Sequence, residues 1–547
     1  MYRYSLVAGL LASLPLGSSA VATRHNWDGQ KPLEKTSITD GNPFNTEVNE
    51  FVNDIMERWK IPGMSVAVID GESVYTQGYG YATLPDTKAT PETLYFAGST
   101  SKAFAAATLA NMIDSKNYTS LASGWTTPIS AIIRDDFVMQ DSWATENLNL
   151  EDAASHRTGM PRHDLSWAKT RFEDSNSKVS TGDVVRSLRH LKPSAAPRTT
   201  WQYCNLMYVV LGHVIETLTG KWLGEAIRER IWEPLGMTAT FGDTKDALAA
   251  ENHLAAGYYW DFEKEDYITL RVDSTRESGG AGLVISTVED YSKWVKCLLY
   301  ETQPFSKEAH KDIRKTRMLT DTKEETGDGD LTYGLAWMKK TYHGEVVYKH
   351  GGTELAYSTQ VYWIPRREFG VVTMANTGQA NSAEDEVVWR FIEDKLDIPD
   401  SERYDIASSL EDTMNETKRA LRDLDKTFYP DKPKSPLPSS LNTSQITGKY
   451  FDPGYGYLDI IEVQLDGETM LVANRTEMLT PYELRFGHVS GNYWLANIYI
   501  ADLNSEAGAW AGEFKVGVDG EAEGLEIQLT SPGEAIDEGK VWFKRTA

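Results

Sequence analysis

Cysteine is nearly missing from this chain: two residues, Cys204 and Cys297, in 547. One possible bridge cannot hold a protein of this length together, so stability must come from hydrophobic cores, and whether the two pair stays open at this level. Long apolar runs are missing as well. The run in "SLVAGLLASLPLG" is too short to span a bilayer. With Arg3 before it and small residues at "SSA" and "AVA" after it, it reads as a cleaved secretory signal over residues 1–20, and a secreted, extracellular protein with no membrane anchor is expected.

Positive charge is scarce too. Lys and Arg total 55 against 80 Asp and Glu, a net charge of −25. Phosphate binding needs the opposite balance, which argues against a nucleic-acid partner. No H-E-x-x-H or comparable ligand cluster occurs, so neither a metal nor a cofactor is expected. Four N-x-S/T sequons, at Asn117, Asn415, Asn442 and Asn474, fit an exported glycoprotein.

The local patterns divide the chain into parts. Phe51, Ile55 and Trp59, flanked by Val52 and Met56, recur at helical spacing, and "PGMSVAVIDGESVYTQGYGYA" reads as two strands around an Asp70-Gly71 turn. Helical patterns dominate the middle third, for example "LMYVVLGHVIETLTG" and "EDYSKWVKCLLYE". Strands return at "GEVVYKHGG", "STQVYWIP" and "FGVVTMANTG". A sheet built from both ends of residues 21–400, with helices between, gives an α/β (α+β) domain. A charged helical segment and a Pro/Ser-rich linker fill 401–440. Short alternating runs separated by turns such as Asp519-Gly520 then predict an antiparallel β-barrel or sandwich over 441–547.

Ser99 and Lys102 open the buried-looking helix in "FAGSTSKAFAAATLANMI". Their spacing puts hydroxyl and amine on one helical face, as a nucleophile and its base or as a cap and a snorkelling lysine. Burial would lower the lysine pKa and make a neutral amine available near pH 7. A second S-x-x-K, Ser175 and Lys178, has no apolar helix after it and reads as a surface loop. His156 reads as a buried structural histidine.

Further along come Tyr203-Cys204-Asn205 and His350-Gly351-Gly352, with "LEDAASHRTGMPRHD" and "ESGGAGLVISTVEDYSKWV" between or before them. This ordered S-x-x-K, Y-x-N and H-x-G set resembles the serine β-lactamase and penicillin-binding-protein-like family over roughly residues 45–395. The nearest branch is that of class C β-lactamases, D,D-carboxypeptidases and D-aminopeptidases. The fold implied is an antiparallel sheet flanked by helices with a helical subdomain. The C-terminal segment resembles the lipocalin-like β-barrel appended to some members, where it can cover or shape the site.

The resemblance implies that Ser99 is acylated, that Lys102 takes or relays its proton, and that Tyr203 acts as second base or acid. It implies that Asn205 orients Lys102 and binds the substrate amide, and that His350 faces a substrate carboxylate or developing charge. Gly351 and Gly352 would leave the strand edge bare, and the Ser99 and Thr353 N–H groups would form an oxyanion hole worth about 3 kcal/mol per donor. The chain departs from the pattern at His350, where lysine is usual, and at Ala356, where glycine is common. His350 would then give a pH dependence near 6 to 7, and efficient β-lactamase activity is not implied. Cys204 reads as an inert buried thiol.

The activity so implied is that of a secreted serine hydrolase acting on amides, esters or small peptides. Its alternatives are an acyltransferase of secondary metabolism on the same fold and a β-lactam- or peptidoglycan-binding protein without turnover. In each case the partner is a small molecule or peptide.

Overall fold

Asn45 caps the first helix, α1 (Thr46–Arg58), by accepting from Val48 N, and the 3.6-residue period buries Val48, Val52, Ile55 and Met56. In this computed structural model the described residues are 41–547, apart from 173–175, 263, 272–273, 275, 321–329, 409, 411, 413–414, 416–418, 420–421, 466, 504, 529–539 and 547. The expected signal segment and Ser175 therefore lie outside the described residues.

After α1 the chain turns at Asp70-Gly71 into the predicted hairpin, with Gly71 at a φ of +58° that favours glycine. Strand β1 (Gly63–Asp70) pairs with β2 (Ser73–Thr83) and continues to β3 (Thr87–Lys88). The later strands are β4 (Met318–Leu319), β5 (Thr332–Tyr333), β6 (Met338–Tyr342), β7 (Glu345–Glu354), β8 (Tyr357–Ile364) and β9 (Phe369–Ala375). They assemble in the order β3-β2-β1-β9-β8-β7-β6-β5-β4, every pairing antiparallel. Met64 lies opposite Ala375, so the two ends of the domain meet at the centre of one sheet.

Helices cover both faces. Four more matter here: α2 (Ser101–Ser115), α3 (Asn205–Thr219), α4 (Val288–Tyr300) and α5 (Asn381–Lys395). On one face, α1 and α5 enclose a core with Val52, Ile55, Val387 and Trp389. On the other, a second core runs through Phe104 of α2, Val209 of α3 and Trp294 of α4. Both cysteines are free and buried, so the stability does come from packing.

The same second core continues into the C-terminal region through Tyr450, Phe486 and Phe514. There eight strands, β10 (Gly448–Asp452), β11 (Gly456–Leu465), β12 (Glu468–Arg475), β13 (Tyr482–Ser490), β14 (Tyr493–Ile500), β15 (Ser505–Val516), β16 (Ala522–Gln528) and β17 (Lys540–Arg545), close into a barrel. Closure comes from β10 pairing β17, Tyr450 opposite Arg545, which removes both sheet edges. Along β11 the burial alternates, with Leu458 and Ile460 inward and Tyr457 and Ile461 outward. Asn117, Asn415, Asn442 and Asn474 are all exposed. Among the described residues no helix is long and apolar enough to cross a membrane.

Candidate active site

Ser99 lies in a 3-10 turn, Gly98–Thr100, that runs directly into α2. Gly98 has a φ of +50°, and a Cβ on it would stand 2.8 Å from Thr353 N. Gly352 of β7 is equally constrained: a Cβ there would overlap the Ala97 carbonyl oxygen and lie 3.1 Å from Ser99 N. The two glycines thus let β7 and the Ser99 turn touch backbone to backbone, bringing the Ser99 and Thr353 amides to one place. Gly351 contributes a bare position beside Gln360, whose Oε1 would be 3.0 Å from a Cβ.

Lys102, wholly buried in α2, places Nζ 2.9 Å from Ser99 Oγ and 2.9 Å from the carbonyl oxygen of Ala281. Ala281 belongs to a one-turn helix, Gly279–Gly282, whose Gly280 lies against the Tyr208 backbone of α3 too closely for any side chain. Burial, assisted by the nearby Arg162 cation, lowers the Lys102 ammonium to about 7. The amine is therefore neutral in a large fraction of molecules at neutral pH.

Tyr203 precedes α3; burial pushes its phenol up to about 12, against the lowering influence of the nearby Arg162 cation and the Ser99 hydroxyl. The Lys102 Nζ sits 5.0 Å from its ring centroid, the Arg162 guanidinium 4.9 Å, and the His156 ring 4.2 Å. His156 Nδ1 accepts from Cys204 N (3.1 Å), and burial drives its pKa well down, so it is a neutral ring packed against Tyr203. Cys204 is buried with its thiol pushed up to about 12, which keeps it protonated.

Two positions differ from the expectations. Asn205 does not reach Lys102 in the hydrogen-bond pattern: its Nδ2 donates to Asp164 Oδ2 (3.0 Å), and the Ala281 carbonyl holds the lysine instead. Its Oδ1 is buried without a hydrogen-bond partner. His350 is 2 % exposed, with Nε2 3.1 Å from the Tyr333 hydroxyl and Nδ1 2.6 Å from its neighbour's carbonyl, Gly351 O. Burial, reinforced by the Lys102 charge, pushes it down to about 3. The expected titration of His350 near pH 6 to 7 is thus corrected: a desolvated ring next to a lysine has no reason to protonate there.

Arg162, Asp164 and Glu354 were not singled out by motif. The first two lie at the end of "LEDAASHRTGMPRHD", and Glu354 directly follows the H-G-G-T stretch; adjacency to those motifs was the available signal. The segment carrying Arg162 and Asp164 is held from the barrel side. His163 Nε2 lies 3.0 Å from the Lys192 carbonyl and Nδ1 2.7 Å from the Tyr455 hydroxyl of the barrel. Since a carbonyl only accepts, Nε2 carries the proton and Tyr455 donates to Nδ1. Burial lowers His163 to about 4, fixing that neutral form. Backbone bonds Leu479 N to Trp167 O (2.7 Å) and Lys169 N to Glu477 O (2.8 Å) extend the junction. Among the described residues no cluster of His, Cys, Asp or Glu could hold a metal.

A buried amine 2.9 Å from a serine hydroxyl, a protonated phenol nearby and two converging amides form a site for acyl transfer. Comparison with known proteins agrees in kind. The chain is 38% identical over 513 residues to the unguisins hydrolase ungD' of Aspergillus campestris, covering 92% of each chain. It is 26% identical to the D-aminopeptidase of Brucella anthropi, over 65% of this chain and 64% of that one. The fold matches the octameric penicillin-binding protein homologue from Pyrococcus abyssi with a TM-score of 0.57, at 17% identity, over 91% of this chain and 99% of that one. The family profile described as beta-lactamase matches residues 48–393, and the chain belongs to the beta-lactamase family of serine hydrolases.

Proposed function

We propose that this protein hydrolyses amide bonds in peptide-like substrates through an acyl-enzyme on Ser99. The observation that carries the reading is the Lys102 amine, 2.9 Å from Ser99 Oγ and held near 7 by burial. In its neutral form it accepts the Oγ proton as Oγ bonds to the substrate carbonyl carbon. The carbonyl π electrons move onto oxygen, which the Ser99 and Thr353 amides stabilise. Collapse of that intermediate breaks the C–N bond. The Tyr203 phenol, protonated because it sits near 12, gives its proton to the leaving nitrogen and is reprotonated from the Lys102 ammonium. Water then attacks the ester by the same exchanges, releasing acid and restoring Ser99.

The unguisins hydrolase supports hydrolysis as the outcome, and the D-aminopeptidase supports peptide-type amides with D-residues on the acyl side as substrates. The test is intact-mass analysis after treatment with a fluorophosphonate, a β-lactam panel and D- and L-amino-acid amides, with Ser99→Ala as control. A fluorophosphonate adduct on wild type alone, with amides turned over, is the expected result. An adduct formed equally on Ser99→Ala would overturn it, and a β-lactam adduct that never decays, without amide turnover, would favour the binding protein.

A further inference from the structure

Substrate selection beside Ser99 requires a group that faces the cleft and is not already committed. Asn205 does not qualify, because its amide donates to Asp164 and its Oδ1 is shut off from solvent. His350 is bonded at both ring nitrogens. Lys102 is bonded to Ser99 and Ala281. Glu354 is different.

Strand alternation puts Glu354 on the same face of β7 as His350 and Gly352, and Gly352 on that face abuts the Ser99 turn. Glu354 therefore lies on the face of the strand that meets the Ser99 turn. Space for it is made by Gly282, next to the carbonyl that holds Lys102: a Cβ on Gly282 would stand 2.9 Å from Glu354 Oε1 and 3.8 Å from the Gly98 carbonyl carbon. Glu354 remains partly exposed, and among the described residues its carboxyl has no hydrogen-bond donor. A carboxylate in so confined a place, without a donor of its own, is stabilised by a ligand that brings one. Asp164 adds negative potential, acting on both Glu354 and Lys102, while Arg162 is drawn toward Asp164 with Nη1 3.8 Å from Oδ2.

We propose that Glu354 is a specificity-determining residue whose carboxylate accepts hydrogen bonds from a protonated amine carried close to the scissile carbonyl. The inference rests on the amide-hydrolase reading above. Its substrate class is amides whose acyl part bears a free primary amine.

The test compares kcat/KM for amino-acid p-nitroanilides with a free α-amine and for their N-acetyl counterparts, in the full chain and in Glu354→Gln and Glu354→Asp. Wild type is expected to prefer the free amine by at least about 10-fold, the size of one charge-assisted bond. Glu354→Gln should collapse that ratio, mainly through KM, and Glu354→Asp should restore part of it. A ratio unchanged in Glu354→Gln, or both substrates losing activity in parallel, overturns the proposal, the second outcome indicating proton transfer or structure instead. Fluorophosphonate labelling of Ser99 reports whether each variant is folded. If Glu354→Gln does not label, protection of wild-type Ser99 by propylammonium but not by propanol decides for the subsite, and equal or no protection decides against it. Wild type that takes no label refutes the hydrolase reading itself, whereas labelled protein without amine preference refutes only the role of Glu354.

Discussion

The lysine beside Ser99 sets the pH at which the chemistry can run. Its ammonium is lowered from the usual range to about 7 because burial removes water that would solvate the charge. A base must be unprotonated, so kcat/KM should rise from pH 6 to 8 with an apparent midpoint near 7, and fall as acid refills the amine. His350, held down near 3, stays neutral throughout that interval. The limb should therefore persist in His350→Asn, and a profile that became flat in that variant would return the titration to the histidine. Glu354, raised by burial to about 7, titrates together with Lys102, so the midpoint belongs to the pair. Removing that carboxylate takes away an anion that favours the ammonium, and moves the limb to lower pH.

Backbone contact between β7 and the turn before α2 is what gives the elements their catalytic arrangement. Gly352→Ala would drive a methyl into the Ala97 carbonyl, so the strand must retreat from Ser99. The expected result is loss of about 10²-fold or more in kcat, the scale of one lost oxyanion donor, with the chain still folded by circular dichroism. Wild-type kcat in that variant would refute the shared oxyanion site. At this scale much was legible in the residues. The Asp70-Gly71 turn, the period of α1 and the S-x-x-K before an apolar helix are local signals, and the structure brings Ser99, Lys102 and Tyr203 together. The fate of Asn205 and His350 was not legible. Each turns on a partner far away in sequence, Asp164 and Tyr333, and spacing along a strand or helix carries no information about such partners. Glu354 went unnoticed for a related reason: its importance comes from the space left by Gly282, which only the folded chain shows.

At the scale of the molecule, the barrel and the catalytic domain share one core, and their polar junction grips the segment that carries Arg162 and Asp164. Short alternating strands announced the barrel, but nothing in them announced what it would hold. Tyr455→Phe deletes the donor to His163 Nδ1 and should weaken the junction by about 1 kcal/mol. Steady-state kinetics should then show KM rising several-fold, since Asp164 accepts from Asn205 and Arg162 lies 4.9 Å from the Tyr203 ring, so that loosening their segment disturbs the surroundings of the site. An unchanged KM would mean that the barrel stabilises the chain without shaping its site.

The pairing of Met64 with Ala375 has a consequence for how the protein is made. Synthesis runs from one end, so β1, β2 and the nucleophile's helix leave the ribosome long before the strands that complete their sheet. Thr353, the second amide beside Ser99, arrives late as well. A nascent or prematurely terminated chain thus has a serine without an oxyanion site and a lysine without the burial that makes it a base. Reactivity is withheld until the domain is whole.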